Sequence, residues 1–245
     1  NPKPTKNEIA MIREWIKSGA RGPDGQEPGR TQLITPDIAP IHQRGATVTS
    51  LAWSLNNTIA AGAFKSVQLS ISSSDEVVRT LRSFSGKVND ARFHADGRWL
   101  VTASGITGLF GEAKIWNVAD GREILTVKGH RDVIYAAVLD PTGTTLATAG
   151  YDHRIILWDA ALGTKIRTLD GHNGAIYDLA FSPDGTVLVS ASADETVKLW
   201  LVSTGLRLDT RSQPTAEQYT VEFSPDSQFL LAGGADNRIR VWRFV

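Results

Sequence analysis

Between residues 175 and 211 the chain alternates apolar and polar positions in short runs broken by turn formers: AIYDLAF, SPDG, TVLVSAS, ADETVKLW and GLRLDTR. A period of two in segments rich in Val, Ile, Leu, Tyr and Phe predicts half-buried strands. The Asp-Gly pair in SPDG predicts the turn between the first two, because glycine takes positive φ without strain. Four strands follow, with GLRLDTR outermost. A four-stranded sheet this short cannot bury both of its faces by itself.

The pattern recurs. Trp116, Trp158, Trp200 and Trp242 lie 42 residues apart in KIW, ILW, KLW and RVW, and Leu139, Phe181 and Phe223 repeat at the same interval before a proline. A period in this range with a late tryptophan predicts propeller blades, whose radial stacking buries the faces that one sheet leaves open. Ser70 in VQLSI stands 46 residues before Trp116. The extra four residues fall in GITGLFGE, so residues 42 to 80 form a first, degenerate blade. Five blades are visible.

The succession of GH, a spacer, FSPDG, a Ser or Thr, an Asp and a closing Trp resembles the WD40 family. The resemblance covers about residues 31 to 245, and its motifs are fullest in the third and fourth repeats. It implies an all-β WD40 β-propeller of four-stranded antiparallel blades that serves as a platform for other proteins. It also implies a structural relay in each full repeat: His130, Thr148, Asp152 and Trp158, then His172, Ser190, Asp194 and Trp200. In that relay the histidine links the hydroxyl and the carboxylate, and the indole donates to the hydroxyl. Departures mark the other repeats. The first has Ser70 for Trp, the second lacks the GH pair and the Asp, and the fifth has Pro214 where His would stand. Those blades are expected to be less rigid, or to serve other contacts.

His172, Ser190 and Asp194 also compose a hydrolase triad on paper. Two observations favour the relay. The same residue types recur one period earlier, and Ser190 lies in the strand pattern VLVSASA, not in the G-x-S-x-G turn that exposes a nucleophile.

Tyr135, Tyr177 and Tyr219 repeat at 42 residues, each five positions after His130, His172 or Pro214, and Tyr151 precedes Asp152. In WD40 propellers these positions lie at the start of the innermost strand and in the loop before the third strand, so the resemblance places all four tyrosines on the narrow top face. Two readings stay open: rings packed along the channel or on an adjacent blade, or a contact surface, for which tyrosine is well suited. By the same offsets Lys87, Asn89, Val133, Ala175, Ala193, Glu217 and Ala235 border them. This mixture of small, apolar and charged residues points to a protein or peptide partner.

Composition removes other classes. Lys plus Arg number 26 and Asp plus Glu 26, so no net field draws the chain to nucleic acid or an anionic membrane. Arg238, Arg240 and Arg243 lie along one strand with no interleaved aromatic platform. There is no cysteine, hence no disulfide and no thiolate chemistry. No apolar run reaches membrane-spanning length, and the first residues do not resemble a signal peptide. GITGLFG has glycines at three-residue spacing but joins two strands and opens no helix, so it is a flexible top-face insertion and not a phosphate loop. His94 and His153 fall in or beside predicted turns, and no spacing makes a metal site.

The N-terminus differs. TKNEIAMIREWIKSG has a capping-box pattern from Thr5 to Glu8, Ile9, Ile12 and Ile16 at helical spacing, and Gly19 as a stop. It predicts a short amphipathic helix whose Trp15 and isoleucines need a packing partner, because so short a helix is marginal alone. GARGPDGQEPGR is a linker by composition. Residues 1 to 30 are thereby set apart from 31 to 245. The segment PKPTKNEIAMIREWIKSGA resembles the last helix of small cytochrome c domains that precede WD40 propellers in some large bacterial proteins. That resemblance implies a remnant of a cytochrome c-like domain and a periplasmic location. Without C-x-x-C-H, haem attachment of that kind is excluded in this chain, and no cofactor is expected.

The last repeat stops after its third strand, and TQLITPDI, residues 31 to 38, is suited to supply the fourth. WD40 rings usually have seven blades, so the visible blades are expected to be part of a longer propeller. The leading function is a noncatalytic scaffold with a protein partner docked on the top face. The alternative is the propeller part of a redox or enzymatic protein, orienting a haem or catalytic domain elsewhere.

Overall fold

A computed structural model describes residues 6–17, 47–73 and 76–244 of the chain. Two compact units divide it, Asn1–Arg44 and Gly45–Val245. In the first, helix α1 covers Lys6–Lys17, and Met11 on it is exposed. The side chains of Ile9, Ile12, Trp15 and Ile16, the linker after Gly19 and the segment TQLITPDI lie outside the described residues. No described helix is long and apolar enough to cross a membrane.

The second unit is built from antiparallel sheets whose strands follow chain order. The first sheet comprises β1 (Ser50–Trp53), β2 (Thr58–Ala63), β3 (Ser66–Ile71) and β4 (Val77–Leu81), and the second β5 (Asp90–Phe93), β6 (Trp99–Ile106), β7 (Phe110–Asn117) and β8 (Glu123–His130). The third comprises β9 (Ile134–Leu139), β10 (Thr145–Gly150), β11 (Ile155–Asp159) and β12 (Lys165–Leu169), and the fourth β13 (Ile176–Phe181), β14 (Val187–Ser192), β15 (Val197–Leu201) and β16 (Arg207–Arg211). The last has three described strands, β17 (Gln218–Phe223), β18 (Phe229–Gly234) and β19 (Ile239–Arg243). The SPDG turn forms as its residues dictate, with Gly185 at φ 74° and its N–H donating to Ser182 O at 2.7 Å.

Successive sheets pack face to face, and the burial of one face depends on the next. Leu179, Phe181, Leu188 and Trp200 of the fourth sheet meet Ala136, Ala147, Ala149, Ile155 and Leu157 of the third. Large residues face small ones, so the surfaces interlock; each fully buried Leu, Ile or Phe contributes roughly 1.5–3 kcal/mol. The first strands β1, β5, β9, β13 and β17 neighbour one another in turn and form the inner wall. Arg92 on β5 donates to Leu179 O on β13 at 2.7 Å, past the intervening β9. A side chain reaching two strands along requires the wall to be concave.

The outward faces of the first and last sheets remain exposed. Trp53, which pairs with Ile59 as Phe181 pairs with Leu188, is 64% exposed where Phe181 is 8% exposed. Ile239 is 78% exposed where its repeat equivalent Val197 is fully buried.

Candidate functional site: a tyrosine rim over a buried relay

In both full repeats a histidine, a hydroxyl, a carboxylate and an indole are joined by hydrogen bonds. His172 sits in the loop entering the fourth sheet, with Nδ1 2.8 Å from Asp194 Oδ2 and Nε2 2.7 Å from Ser190 Oγ. Trp200 Nε1 donates to Ser190 Oγ at 2.9 Å. In the third sheet His130 Nδ1 lies 2.9 Å from Asp152 Oδ1, Nε2 lies 2.8 Å from Thr148 Oγ1, and Trp158 Nε1 donates to Thr148 Oγ1 at 2.8 Å. Each carboxylate also accepts the backbone N–H after the histidine, from Arg131 at 3.0 Å and Asn173 at 2.9 Å. The aspartates therefore hold the incoming loop as well as the ring.

Electrostatics fix the proton arrangement. Burial holds the His172 imidazole below its ordinary value of 6.5, against the opposing pull of Asp194. Burial would raise Asp194, but hydrogen bonds from His172 and Thr196 outweigh it and keep the carboxyl well below the usual range. The stable state is a neutral imidazole that donates from Nδ1 to Asp194 and accepts at Nε2 from the Ser190 hydroxyl. Ser190 and Thr148 are fully buried. The triad geometry is complete, yet its hydroxyls have no access for a substrate.

The second repeat keeps half of the relay. Trp116 Nε1 donates to Thr102 Oγ1 at 2.9 Å, while Phe84 holds the place of the histidine and packs on Trp116 at 5.2 Å between ring centroids. The job of the missing aspartate passes to Glu112 on β7, whose Oε1 accepts the Ser85 backbone N–H at 2.8 Å and the Ser104 hydroxyl at 3.3 Å. Glu112 is 2% exposed, with Lys128 Nζ 3.5 Å from its other oxygen. In the last repeat Pro214 is buried at the histidine position, and Asp236 accepts from Arg240 at 2.6 Å and from the Thr215 N–H at 3.4 Å.

The tyrosines come together. Tyr135 and Tyr177 lie 5.6 Å apart and Tyr177 and Tyr219 5.4 Å, measured between ring centroids, and Tyr151 meets Tyr135 edge-on at 6.5 Å. Tyr135, Tyr177 and Tyr219 stand at the leading ends of β9, β13 and β17, and Tyr151 joins this ladder from the turn after β10. Tyr151 and Tyr219 are each 51% exposed, and Tyr135 and Tyr177 are half-buried. The Tyr177 hydroxyl donates to Glu217 Oε2 at 3.3 Å. Burial, then the Glu217 carboxylate, pushes the Tyr177 phenol up to about 12; burial and then Asp132 raise Tyr135. Glu217 raises exposed Tyr219. The rim is thus aromatic with an acidic border.

The neighbouring positions divide. Lys87 is exposed, and Ala235 with it, while Glu217 and Ala193 are half-buried. Val133 and Ala175 are buried, and their carbonyls are held within their own sheets, Val133 O accepting from Tyr151 N at 3.1 Å and Ala175 O from Ala193 N at 2.8 Å. As side chains they are framework and not surface, although the offsets place them with the rim. Asn89 is occupied within the fold, its Nδ2 donating to Ile134 O at 2.8 Å. GITGLFG is an ordered hairpin extension of β6 and β7, tied down by the Gly108 N–H on Asp132 Oδ1 at 2.8 Å. Leu109 at its tip is 63% exposed.

One constellation on the concave wall escaped the sequence reading. Arg92 binds Asp90 Oδ2 at 2.8 Å and reaches Asp178, which also accepts from the Thr220 hydroxyl at 2.8 Å and the Val221 N–H at 2.9 Å. Asp90 accepts the Ala137 N–H at 3.2 Å. Four blades are joined by three side chains. Burial raises the Asp90 carboxyl; Asp90 and Asp178 raise the Arg92 guanidinium against the effect of its own burial. Each residue is unremarkable within its repeat, so only the cross-channel geometry reveals the set.

The chain matches the WD40 family, described as WD domain, G-beta repeat, over residues 75–105, 121–159, 163–200 and 209–243. These matches cover more than half of the sequence, and the chain belongs to that family. No curated protein matches it.

Proposed function

We propose that this WD40 chain is a noncatalytic scaffold that holds a protein or peptide partner on the tyrosine rim. The observation that carries the reading is the Tyr151–Tyr135–Tyr177–Tyr219 ladder, in which four aromatic side chains from three blades are neighbours and two remain half exposed. WD40 repeats are in general platforms for protein–protein interaction, and clustered tyrosine is the composition of binding hot spots. The sealed hydroxyls of the relay give the scaffold reading further support over hydrolysis. Replacing Tyr135, Tyr177 and Tyr219 together by Ala is expected to abolish capture of the partner from a native lysate and leave the circular dichroism spectrum intact. Equal capture by both proteins would refute it.

A second reading rests on the N-terminal resemblance to a cytochrome c helix, which would make the propeller the orienting part of a redox protein. Its discriminating observation is a C-x-x-C-H motif encoded upstream in the parent gene.

A further inference from the structure

The rim carries carboxylates at two places along its aromatic ladder. Asp132 stands beside Tyr135, its Oδ1 fixed by the N–H groups of Gly108 and Val133 at 2.8 and 2.7 Å. Glu217 stands between Tyr177 and Tyr219, with one oxygen 3.3 Å from the Tyr177 hydroxyl. Below the rim, Arg92 is already shared between Asp90 and Asp178, so that layer of the wall keeps an excess of carboxylate. Of the cations around this end, Lys87 belongs to the junction of the first two blades, where it bridges Phe64, and Arg131 is exposed beyond the His130 relay.

Ring faces attract cations, and a guanidinium adds a planar fork that suits a carboxylate. The three repeating rings run in steps of 5.6 and 5.4 Å, a longer platform than one guanidinium covers. The remaining rings are left for the groups on either side of that cation. We propose that the rim seats an arginine side chain of an extended partner polypeptide, its guanidinium stacked on the exposed ring of Tyr219, with Tyr177 set at an angle beside it and its fork directed to Glu217. The inference rests on the reading of the rim as a partner surface and names the chemistry of that partner.

The test is selection of a random decapeptide phage library on the full chain, with each clone then compared on the variant Tyr135→Ala, Tyr177→Ala, Tyr219→Ala. Clones that depend on the tyrosines are expected to share an arginine. A synthetic peptide of the best clone should lose about tenfold in affinity when that arginine becomes citrulline, which keeps the shape and removes the charge. Glu217→Gln should weaken the arginine peptide about threefold and leave the citrulline peptide unchanged. Tyrosine-dependent clones without arginine, or citrulline peptides that bind as well, would overturn the arginine seat and leave the rim as a partner surface. Recovery only of clones indifferent to the tyrosines, or of none, would overturn both.

Discussion

Glu112 Oε1 accepts the backbone N–H of Ser85 at 2.8 Å, as Asp152 does for Arg131 and Asp194 for Asn173. A carboxylate from the third strand of its blade does what an aspartate in the preceding loop does in the two full repeats. The constraint retained is an acceptor for the entering loop, not a residue at a fixed offset.

Glu112→Ala should therefore destabilise the chain by about 1–3 kcal/mol, the range for orphaning a buried donor. Glu112→Gln keeps a carbonyl acceptor and should cost less. Urea denaturation of the two variants measures the difference, and equal losses would show that the charge beside Lys128 matters more than the acceptor.

Trp200→Phe removes the indole donor to Ser190 and part of the buried ring. A loss of about 1–3 kcal/mol is expected, against about 3–5 kcal/mol for Trp200→Ala, which opens a larger cavity. Thermal melts of both variants measure the difference.

Stability should depend on pH through His172. Its folded-state value lies below the ordinary 6.5, so the unfolded chain takes up a proton first as pH falls. The contribution is full above 6.5 and is lost progressively below it. Asp194, held below its ordinary 3.8, adds a second window: its contribution is present above 3.8 and lost as pH falls further. Denaturation midpoints from pH 7.5 to 4.5 should decline below pH 6.5, and His172→Gln should flatten that part. A wild-type profile flat over this range would contradict the neutral buried imidazole.

Arg92→Met should cost about 2 kcal/mol or more, because it leaves Asp90 and Asp178 on the inner wall without their cation. The double variant with Asp178→Asn should recover part of the loss. A double-mutant cycle that sums without coupling would show that the bridge across the wall is not an energetic unit.

Trp53 and Phe181 occupy the same register position, one exposed and one buried. Trp53→Ala should change stability by less than about 0.5 kcal/mol, as expected at the surface, while Phe181→Ala should cost about 3–5 kcal/mol. Similar losses in urea titrations would mean that the outward face of the first sheet is covered in solution.

Strands and their grouping into repeats were legible in the residues alone, while the relay was implied by the family resemblance. The strands and repeats follow from local alternation, turn residues and a fixed period, and a 42-residue repeat places equivalent residues in equivalent environments. The tyrosine set was legible for the same reason. The packed structure settled the rest: Glu112 on β7 takes over from a loop aspartate, Arg92 spans the wall to Asp178, and the side chains of Val133 and Ala175 are buried. It also decided that Trp53 stands in solvent while Phe181, in the same register, is core. These differences arise between blades, where the neighbour supplied by packing, and not the residue's place in its repeat, sets burial and charge.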